Sequence, residues 1–134
     1  MMPMRKFIEA TKGWLGISQS AQAPLEARAE FLLKYGNLLI GTLSVRDGVW
    51  KFEYSDEFRR NGSLRPIVEF PDVDKTYESS DLWQFFASRI PSPERPEVGE
   101  ILRREQIAED DAVGLLKRFG KQTIVNPFRL EAAV

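Results

Sequence analysis

The 134-residue chain contains no cysteine and no histidine. The lack of cysteine excludes disulfide bonds and thiolate chemistry, and the lack of histidine excludes acid–base or metal chemistry that uses an imidazole. The charges nearly balance, with 19 basic and 20 acidic residues and a formal net charge of -1. No global field therefore favours nucleic acid or an anionic membrane as a partner.

Long apolar runs are also missing, and no stretch approaches the length of a transmembrane helix. The apolar core of a signal peptide is absent as well, because Glu9, Thr11 and Lys12 interrupt the segment after the first basic residues. We therefore expect a cytoplasmic protein. Hydrophobic residues make up 43% of the chain, which suffices for the core of a single domain of this length.

The motifs that mark many active sites are absent from the sequence. Gly36, Gly41 and Gly48 lie at hairpin positions and do not cluster into a phosphate-binding loop. The one tight acidic cluster, residues 109–111, directly precedes an apolar helix, where acids cap free N–H groups and complement the helix dipole. Capping is favoured there over a Mg²⁺ or Ca²⁺ site. The sequence thus predicts no catalytic residues, no cofactor and no metal.

The sequence does contain a run of three short apolar stripes at helical spacing between Asp81 and Gly120. Their members are Leu82, Phe85, Phe86 and Arg89, then Val98, Ile101, Leu102 and Glu105, then Val113, Leu116 and Phe119. Gly120 is expected to be the C′ residue of the last helix. Short helices with one apolar stripe are not stable alone in water, so they need a surface to lie on.

Strand-like segments before the stripes supply that surface. The turns Gly36-Asn37 and Asp47-Gly48 separate three apolar or alternating runs, which predicts an antiparallel meander over residues 31–54. Ser55 is expected to cap one helical turn, and Leu64–Phe70 and the region 123–130 are expected to add strands, the latter broken at Pro127. The predicted fold is α+β: a small antiparallel sheet packed by a three-helix cluster.

The first residues differ from the rest. An amphipathic helix is predicted over Arg5–Leu15, followed by a linker over Ser18–Pro24 that is rich in Ser, Gln and Ala. We therefore divide the chain into an N-terminal helix and linker, residues 1–29, and one domain, residues 30–134. Loose packing of the first part and docking of it on a partner both stay open.

Aromatic and basic side chains suggest a binding surface. A small domain cannot easily bury three Trp completely, so we expect Trp14, Trp83 or Phe128 to be partly exposed. Partly exposed Trp beside Arg is the usual composition of a protein–protein hot spot. The doublets Arg103-Arg104 and Lys117-Arg118 fit either a patch for phosphate or an acidic partner, or a solvated face with compensation of helix dipoles, and the second interpretation is favoured.

The order of these elements carries a resemblance to a known family. The segments that carry it are Lys34 to Ser44, Val49 to Tyr54, Ser55 to Phe58, Leu82-Trp-Gln-Phe-Phe-Ala-Ser-Arg-Ile-Pro91, Ile101-Leu-Arg-Arg-Glu105, and Asp110-Asp111 with Leu115 to Lys121. Over about residues 30–130 the chain resembles the N-terminal subdomain of HipA-type toxin kinases. It is also similar to HipS, the separate small protein that corresponds to that subdomain in three-part HipBST systems.

The resemblance implies a non-catalytic module, because the family's kinase core, with its ATP and magnesium residues, is a separate C-terminal body. A HipS-like protein would bind a HipA-like (HipT-type) kinase and restrain it, with a helix-turn-helix HipB-type protein as a third component. Direct contact with nucleic acid or with a membrane is not expected. The residues expected to contact the kinase are Trp83, Pro91, Ser92, Pro93, Glu94, Arg95, Pro96, Val98, Arg103 and Arg104.

Three other functions stay open at this point. The chain could be an interaction or scaffold module without a toxin partner. It could be a small nucleic-acid-binding module that uses the basic doublets, although the near-neutral charge counts against this. It could also be an enzyme that relies on carboxylates alone, which would need a pocket with two convergent acids.

Overall fold

The computed structural model describes residues 27–133, which contain five strands and four helices. In chain order these are β1 (Ala29–Tyr35), β2 (Leu38–Arg46), β3 (Val49–Tyr54), α1 (Asp56–Arg60), β4 (Tyr77–Ser79), α2 (Gln84–Ala87), α3 (Pro96–Glu105), α4 (Ala112–Phe119) and β5 (Arg129–Ala132). The predicted α+β class is confirmed. The predicted helix over Arg5–Leu15 and its linker lie outside the described residues, and the division at residue 29 stays a prediction.

The strands form one sheet in the order β4-β3-β2-β1-β5, with antiparallel pairing throughout. Strands β1, β2 and β3 are the predicted meander, whereas β5 follows the helices along the chain and returns to pair with β1. Alternate side chains of β3 are buried: Trp50, Phe52 and Tyr54. The period-2 alternation thus gives the sheet one buried face, and the helices pack on it.

Backbone geometry at three glycines explains how the meander closes. Gly36 has φ 60°, and Gly48 has φ 79° beside Asp47 at φ 53°, so each of the two predicted hairpin turns contains glycine at positive φ. The register between β1 and β2 shifts next to Gly41. A Cβ placed on Gly41 would lie 2.5 Å from the carbonyl oxygen of Glu53, which leaves room only for glycine.

Side-chain caps start two of the helices. The Ser55 hydroxyl accepts a hydrogen bond from the Phe58 N–H at 2.9 Å, as the sequence predicted for α1. The Asp111 carboxylate accepts one from the Gly114 N–H at 3.0 Å at the start of α4. Of the acidic cluster at residues 109–111, Asp111 is therefore the residue that caps the helix.

The core has two parts. The main core cluster joins the buried face of the sheet to α2 and α4, through side chains such as Phe52, Phe86 and Leu116. A second, smaller cluster consists of Val98, Leu102 and Leu115 and holds α3 against α4. Ile90 packs against both clusters.

The prediction of a strand over Leu64–Phe70 is wrong. This segment is a loop whose backbone groups are bound by the Tyr54 hydroxyl, which accepts from the Ile67 N–H at 2.8 Å and donates to the Phe70 carbonyl at 2.6 Å. Backbone groups used in this way cannot join a ladder. The fourth strand is instead Tyr77–Ser79, which pairs with β3.

Three further boundaries differ from the sequence prediction. Helix α2 has four residues, so that Leu82 and Arg89 of its predicted stripe lie outside it. The end of the domain forms a strand only over Arg129–Ala132, and residues 123–125 belong to a loop. Gly120 ends α4 with φ -79° and not in the left-handed conformation; its role is steric, because a Cβ there would lie 2.6 Å from the Leu116 carbonyl oxygen.

Candidate partner-binding surface

The proline-rich turn at residues 91–96 precedes α3. Its shape is fixed by its own hydrogen bonds, since the Ser92 hydroxyl and carbonyl accept from the N–H groups of Glu94 and Arg95, each at 3.2 Å. Pro96 lies in the first turn of α3, where the missing N–H costs nothing. Within the turn, Pro91 and Pro93 are half-buried and the other four residues are exposed. The turn is thus exposed and structurally constrained.

An exposed ion pair joins the end of the turn to the first turn of α3. The Arg95 guanidinium donates to the Glu97 carboxylate at 2.7 Å. The pKa of Glu97 is held below its usual range, first by a hydrogen bond from its own backbone N–H and then by Arg95. A negative charge in the first turn of α3 also complements the helix dipole. The start of α3 therefore presents one fixed cation–anion pair at neutral pH.

Val98 does not belong to the surface on which it was predicted. It is 3% exposed and forms the second core cluster together with Leu102 and Leu115. A valine on the inner face of an amphipathic helix packs on its neighbours, and in this fold a partner could reach it only if α3 moved away from α4. We therefore remove Val98 from the candidate contact residues.

Arg103 and Arg104 lie in the last turn of α3, and both side chains are exposed. Glu100 and Arg104 are four residues apart on α3, a spacing that allows an ion pair. No such pair is present among the ion pairs of residues 27–133. Instead Glu105 pairs with Arg118 of α4 at 2.8 Å. The two arginines thus form an exposed basic patch at the end of α3.

Trp83 is half-buried, in agreement with the prediction that it is partly exposed. Its ring packs edge-on against Phe70 with 5.1 Å between centroids, and its carbonyl accepts from the N–H groups of Phe86 and Ala87 at the start of α2. The turn precedes α3 and the two arginines lie in its last turn, and α3 packs through the second cluster, whereas Trp83 packs on the main core. The predicted contact residues therefore fall into two neighbourhoods.

Arg89 has a role that was not predicted from the sequence, and it is the one buried charged residue in the described part of the chain at 4% exposure. Its guanidinium donates to the carbonyl oxygens of Gly120 and Phe128, each at 3.0 Å, and to Asn126 Oδ1 at 3.2 Å. Burial lowers the pKa of Arg89 to about 10, so the side chain is still a cation at neutral pH. The sequence did indicate that Arg89 is special, because arginine is rarely buried and yet Arg89 occupies a position of the first apolar stripe.

The loop that Arg89 holds exposes two apolar side chains. Ile124 is 103% exposed and Val125 is 69% exposed. The base of the loop is closed by a hydrogen bond from the Leu130 N–H to the Lys121 carbonyl at 2.9 Å. The sequence pattern assigned these residues to a broken strand and so predicted no surface here.

Aromatic rings lie next to this loop. The ring of Phe128 has its centroid 5.7 Å from that of Tyr35 and 5.8 Å from that of Phe85. Tyr35 is 40% exposed, while Phe85 and Phe128 are half-buried. We name the five residues Tyr35, Phe85, Ile124, Val125 and Phe128 the loop-tip surface.

A groove of about 550 Å³ lies near the turn at Asp47, which joins β2 to β3. Its charged lining residues are of both signs: Arg28, Glu30, Arg46, Lys51 and Glu78. Such a mixture does not favour a polyanion such as nucleic acid. Within residues 27–133 no three His, Cys, Asp or Glu side chains group as metal ligands do.

Over the same residues, no helix has the length and apolar character needed to cross a bilayer. The domain that emerges is a five-stranded antiparallel sheet with helices on one face and exposed apolar and basic side chains at two places.

Comparison with known families assigns this domain. The family described as the HipA N-terminal domain matches residues 31–124 of the 134-residue chain, which is more than half of its length. The chain therefore belongs to the HipA N-terminal domain family, as the resemblance predicted. This is a family of non-catalytic subdomains. No curated protein matches the chain in sequence.

Proposed function

We propose that the chain is a regulatory, antitoxin-like protein that binds a HipA-like Ser/Thr kinase and restrains it. The observation that carries this proposal is membership of the HipA N-terminal domain family over residues 31–124. A domain whose relatives form the N-terminal part of a kinase has a surface suited to contact the remainder of that kinase. A separate protein with this domain would bind the kinase body in the same way.

The side chains at the surface support a role in binding. The turn at residues 91–96 is exposed and constrained, and a constrained segment loses little conformational entropy when a partner covers it. Arg103 and Arg104 are exposed, and Trp83 is half-buried on a fixed backbone. Trp and Arg are the residues most enriched in binding hot spots.

In this proposal the chain does not contact DNA itself. A helix-turn-helix protein of the HipB type would supply the DNA contact as a third component. The formal net charge of -1 agrees with this division, because phosphate binding depends on an excess of Lys and Arg.

Co-expression with the HipA-like kinase encoded in the same gene neighbourhood tests the proposal. We expect the two proteins to elute together in size-exclusion chromatography, and we expect the chain to relieve the growth arrest that the kinase causes when it is expressed alone. A chain that elutes separately and leaves the growth arrest unchanged would contradict the proposal. In that case a scaffold role without a toxin partner becomes the better explanation.

The basic patch allows a finer test. The double variant Arg103→Glu and Arg104→Glu reverses two exposed charges. We expect it to raise the Kd of the complex at least tenfold, or about 1.4 kcal/mol. Arg46→Glu is the matched control, because Arg46 is also exposed but lies at the far hairpin turn. Equal affinities for the double variant, the control and the unchanged chain would exclude the basic patch from the interface.

A further inference from the structure

We propose that Asn61 is a site of spontaneous deamidation in the folded chain, where the backbone nitrogen of Gly62 closes a succinimide ring on the Asn61 side chain. The inference concerns the turn that follows α1 and does not depend on the proposed function. Water is the co-reactant, and the products carry aspartate or isoaspartate at position 61. The chain thereby gains one negative charge at the end of α1 as it ages.

The reaction begins at the peptide nitrogen that follows the asparagine. The Gly62 N–H loses its proton to hydroxide, the nitrogen forms a bond to Cγ of Asn61, and the C–N bond of the side-chain amide breaks. The amide nitrogen takes a proton from water and leaves as ammonia. Water then opens the succinimide at one of its two carbonyl carbons, which gives aspartate or the isoaspartyl linkage. One water is consumed and one ammonia is released, with no change in oxidation state.

The other two asparagines of the chain are not followed by a suitable nitrogen. Asn126 precedes Pro127, whose nitrogen has no hydrogen to lose. Asn37 precedes Leu38, which is paired in the ladder between β1 and β2 and carries a branched side chain that hinders the attack. Glycine has no Cβ, so the nitrogen of Gly62 is the least hindered nucleophile of the three.

The peptide group between Asn61 and Gly62 is free to turn into the geometry of attack. Asn61 is the C-cap residue of α1 and lies outside the helix, with φ -94° and ψ 112°. Within residues 27–133, neither the Asn61 carbonyl nor the Gly62 N–H forms a hydrogen bond. A Cβ at Gly62 would meet no atom within 4 Å. Rotation of this peptide group therefore breaks no contact, whereas a helix or a strand would hold it.

The side chain of Asn61 is polarised for the attack. Its Oδ1 accepts hydrogen bonds from the Ser63 N–H at 2.8 Å and from the Ser63 hydroxyl at 2.5 Å. Two donors draw electron density from Cγ and stabilise the negative charge that the oxygen gains in the transition state. Gly62 and Ser63 are both exposed, so water and hydroxide reach the site.

The two products change the end of α1 in different ways. Aspartate places a carboxylate beside Arg59 and Arg60, the basic residues of the last turn. Its oxygen still accepts the two hydrogen bonds from Ser63, so we expect the stability to change little. Isoaspartate lengthens the main chain by one carbon atom ahead of the loop that the Tyr54 hydroxyl binds, so we expect this product to have a lower melting temperature.

The test follows the purified full chain during incubation at mildly alkaline pH, both folded and unfolded in guanidinium chloride. Cleavage after glutamate places the three asparagines in separate peptides, residues 31–53, 58–69 and 110–131. Mass spectrometry then gives the deamidation rate of each asparagine. The matched variant is Gly62→Ala, which keeps Asn61. Gly62 is not among the glycines with positive φ and has open space around it, so alanine fits there.

In the folded chain we expect Asn61 to deamidate at least about tenfold faster than Asn37 or Asn126, and we expect Gly62→Ala to slow its deamidation at least about tenfold. The folded rate at Asn61 should be at least about one tenth of the unfolded rate. A smaller folded rate would show that the fold protects the site and would overturn the inference. Equal rates at the three asparagines, or an unchanged rate in Gly62→Ala, would contradict it as well.

Discussion

Arg89 donates a hydrogen bond from Nη1 to the carbonyl oxygen of Gly120, 31 residues further along the chain, at 3.0 Å. The same guanidinium binds the Phe128 carbonyl, so one buried side chain joins the segment after α2, the end of α4 and the start of β5. Its ligands are carbonyl oxygens and one amide oxygen, with no carboxylate among its described hydrogen-bond partners. A cation solvated by backbone groups fixes those groups in place, and the course of the loop at residues 121–128 depends on it.

Replacing Arg89 should destabilise the domain and loosen the loop. In Arg89→Met the carbonyl oxygens of Gly120 and Phe128 lose their donor, and we expect the free energy of unfolding to fall by about 3 kcal/mol. Urea denaturation measures this loss. Amide hydrogen exchange should accelerate most in residues 121–128. Arg60→Met at the exposed end of α1 is the control and should change stability by less than about 0.5 kcal/mol.

The Tyr54 hydroxyl is the second polar group on which the fold depends. It accepts from the Ile67 N–H and donates to the Phe70 carbonyl, and both bonds are buried. Tyr54→Phe keeps the ring and leaves both backbone groups without this partner, so we expect a loss of about 2 kcal/mol at pH 7. Chemical denaturation of the two proteins gives the difference. An equal stability would mean that the loop between α1 and β4 does not depend on this hydroxyl.

The same substitution has a pH dependence. Burial raises the pKa of Tyr54 from 10.0 to about 12. Because the folded state holds the phenolic proton more tightly than the unfolded state, this stabilisation is fully present below pH 10 and is lost as the pH rises towards 12. The stability difference between the unchanged chain and Tyr54→Phe should therefore narrow from about pH 10 to about pH 12. A constant difference over that range would contradict this interpretation.

The acidic cluster before α4 allows a clean comparison of neighbours. Asp111 caps the helix through the Gly114 N–H, whereas the Asp110 side chain is exposed. We expect Asp111→Ala to cost about 1 kcal/mol and Asp110→Ala less than about 0.5 kcal/mol. Thermal unfolding of both variants measures the contrast, and equal losses would show that charge near the helix dipole matters more than the cap.

Two glycines should respond in opposite ways to alanine. At Gly41 a Cβ would lie 2.7 Å from the Phe52 ring and closer still to the Glu53 carbonyl, so Gly41→Ala should cost at least about 2 kcal/mol. At Gly62 a Cβ meets nothing within 4 Å, so Gly62→Ala should be neutral or stabilise by up to about 1 kcal/mol. Denaturant midpoints distinguish the two, and a tolerated Gly41→Ala would contradict the close approach of β2 and β3.

The meander and its turns could be predicted because their signals are local. Alternation in Val49–Tyr54, glycine at positive φ in both hairpins and the Ser55 cap each depend on neighbouring residues. The family resemblance was also predicted from the residues and is confirmed by the match. The predictions that failed depend on distant contacts. Leu64–Phe70 has the pattern of a strand, but the Tyr54 hydroxyl takes its backbone groups.

The candidate surface was predictable only in part. Trp83 is half-buried and the arginine doublet of α3 is exposed, as composition and helical spacing indicated. Val98 is buried because α3 packs on α4, and spacing alone did not show which face would be covered. The exposure of Ile124 could not be predicted for a similar reason. The apolar pair Ile124-Val125 has the composition of a strand, and the loop forms instead where the distant Arg89 binds the Phe128 carbonyl.

The most direct measurement is phosphate transfer by the purified HipA-like kinase during a titration with the purified chain. We expect transfer to fall in step with complex formation, with a Kd of about 1 μM or tighter. We also expect the chain with both Arg103→Glu and Arg104→Glu to need an at least tenfold higher concentration for the same fall in transfer. Unchanged phosphate transfer at saturating amounts of the natural chain, with no complex detected, would contradict the proposal that this chain restrains a kinase.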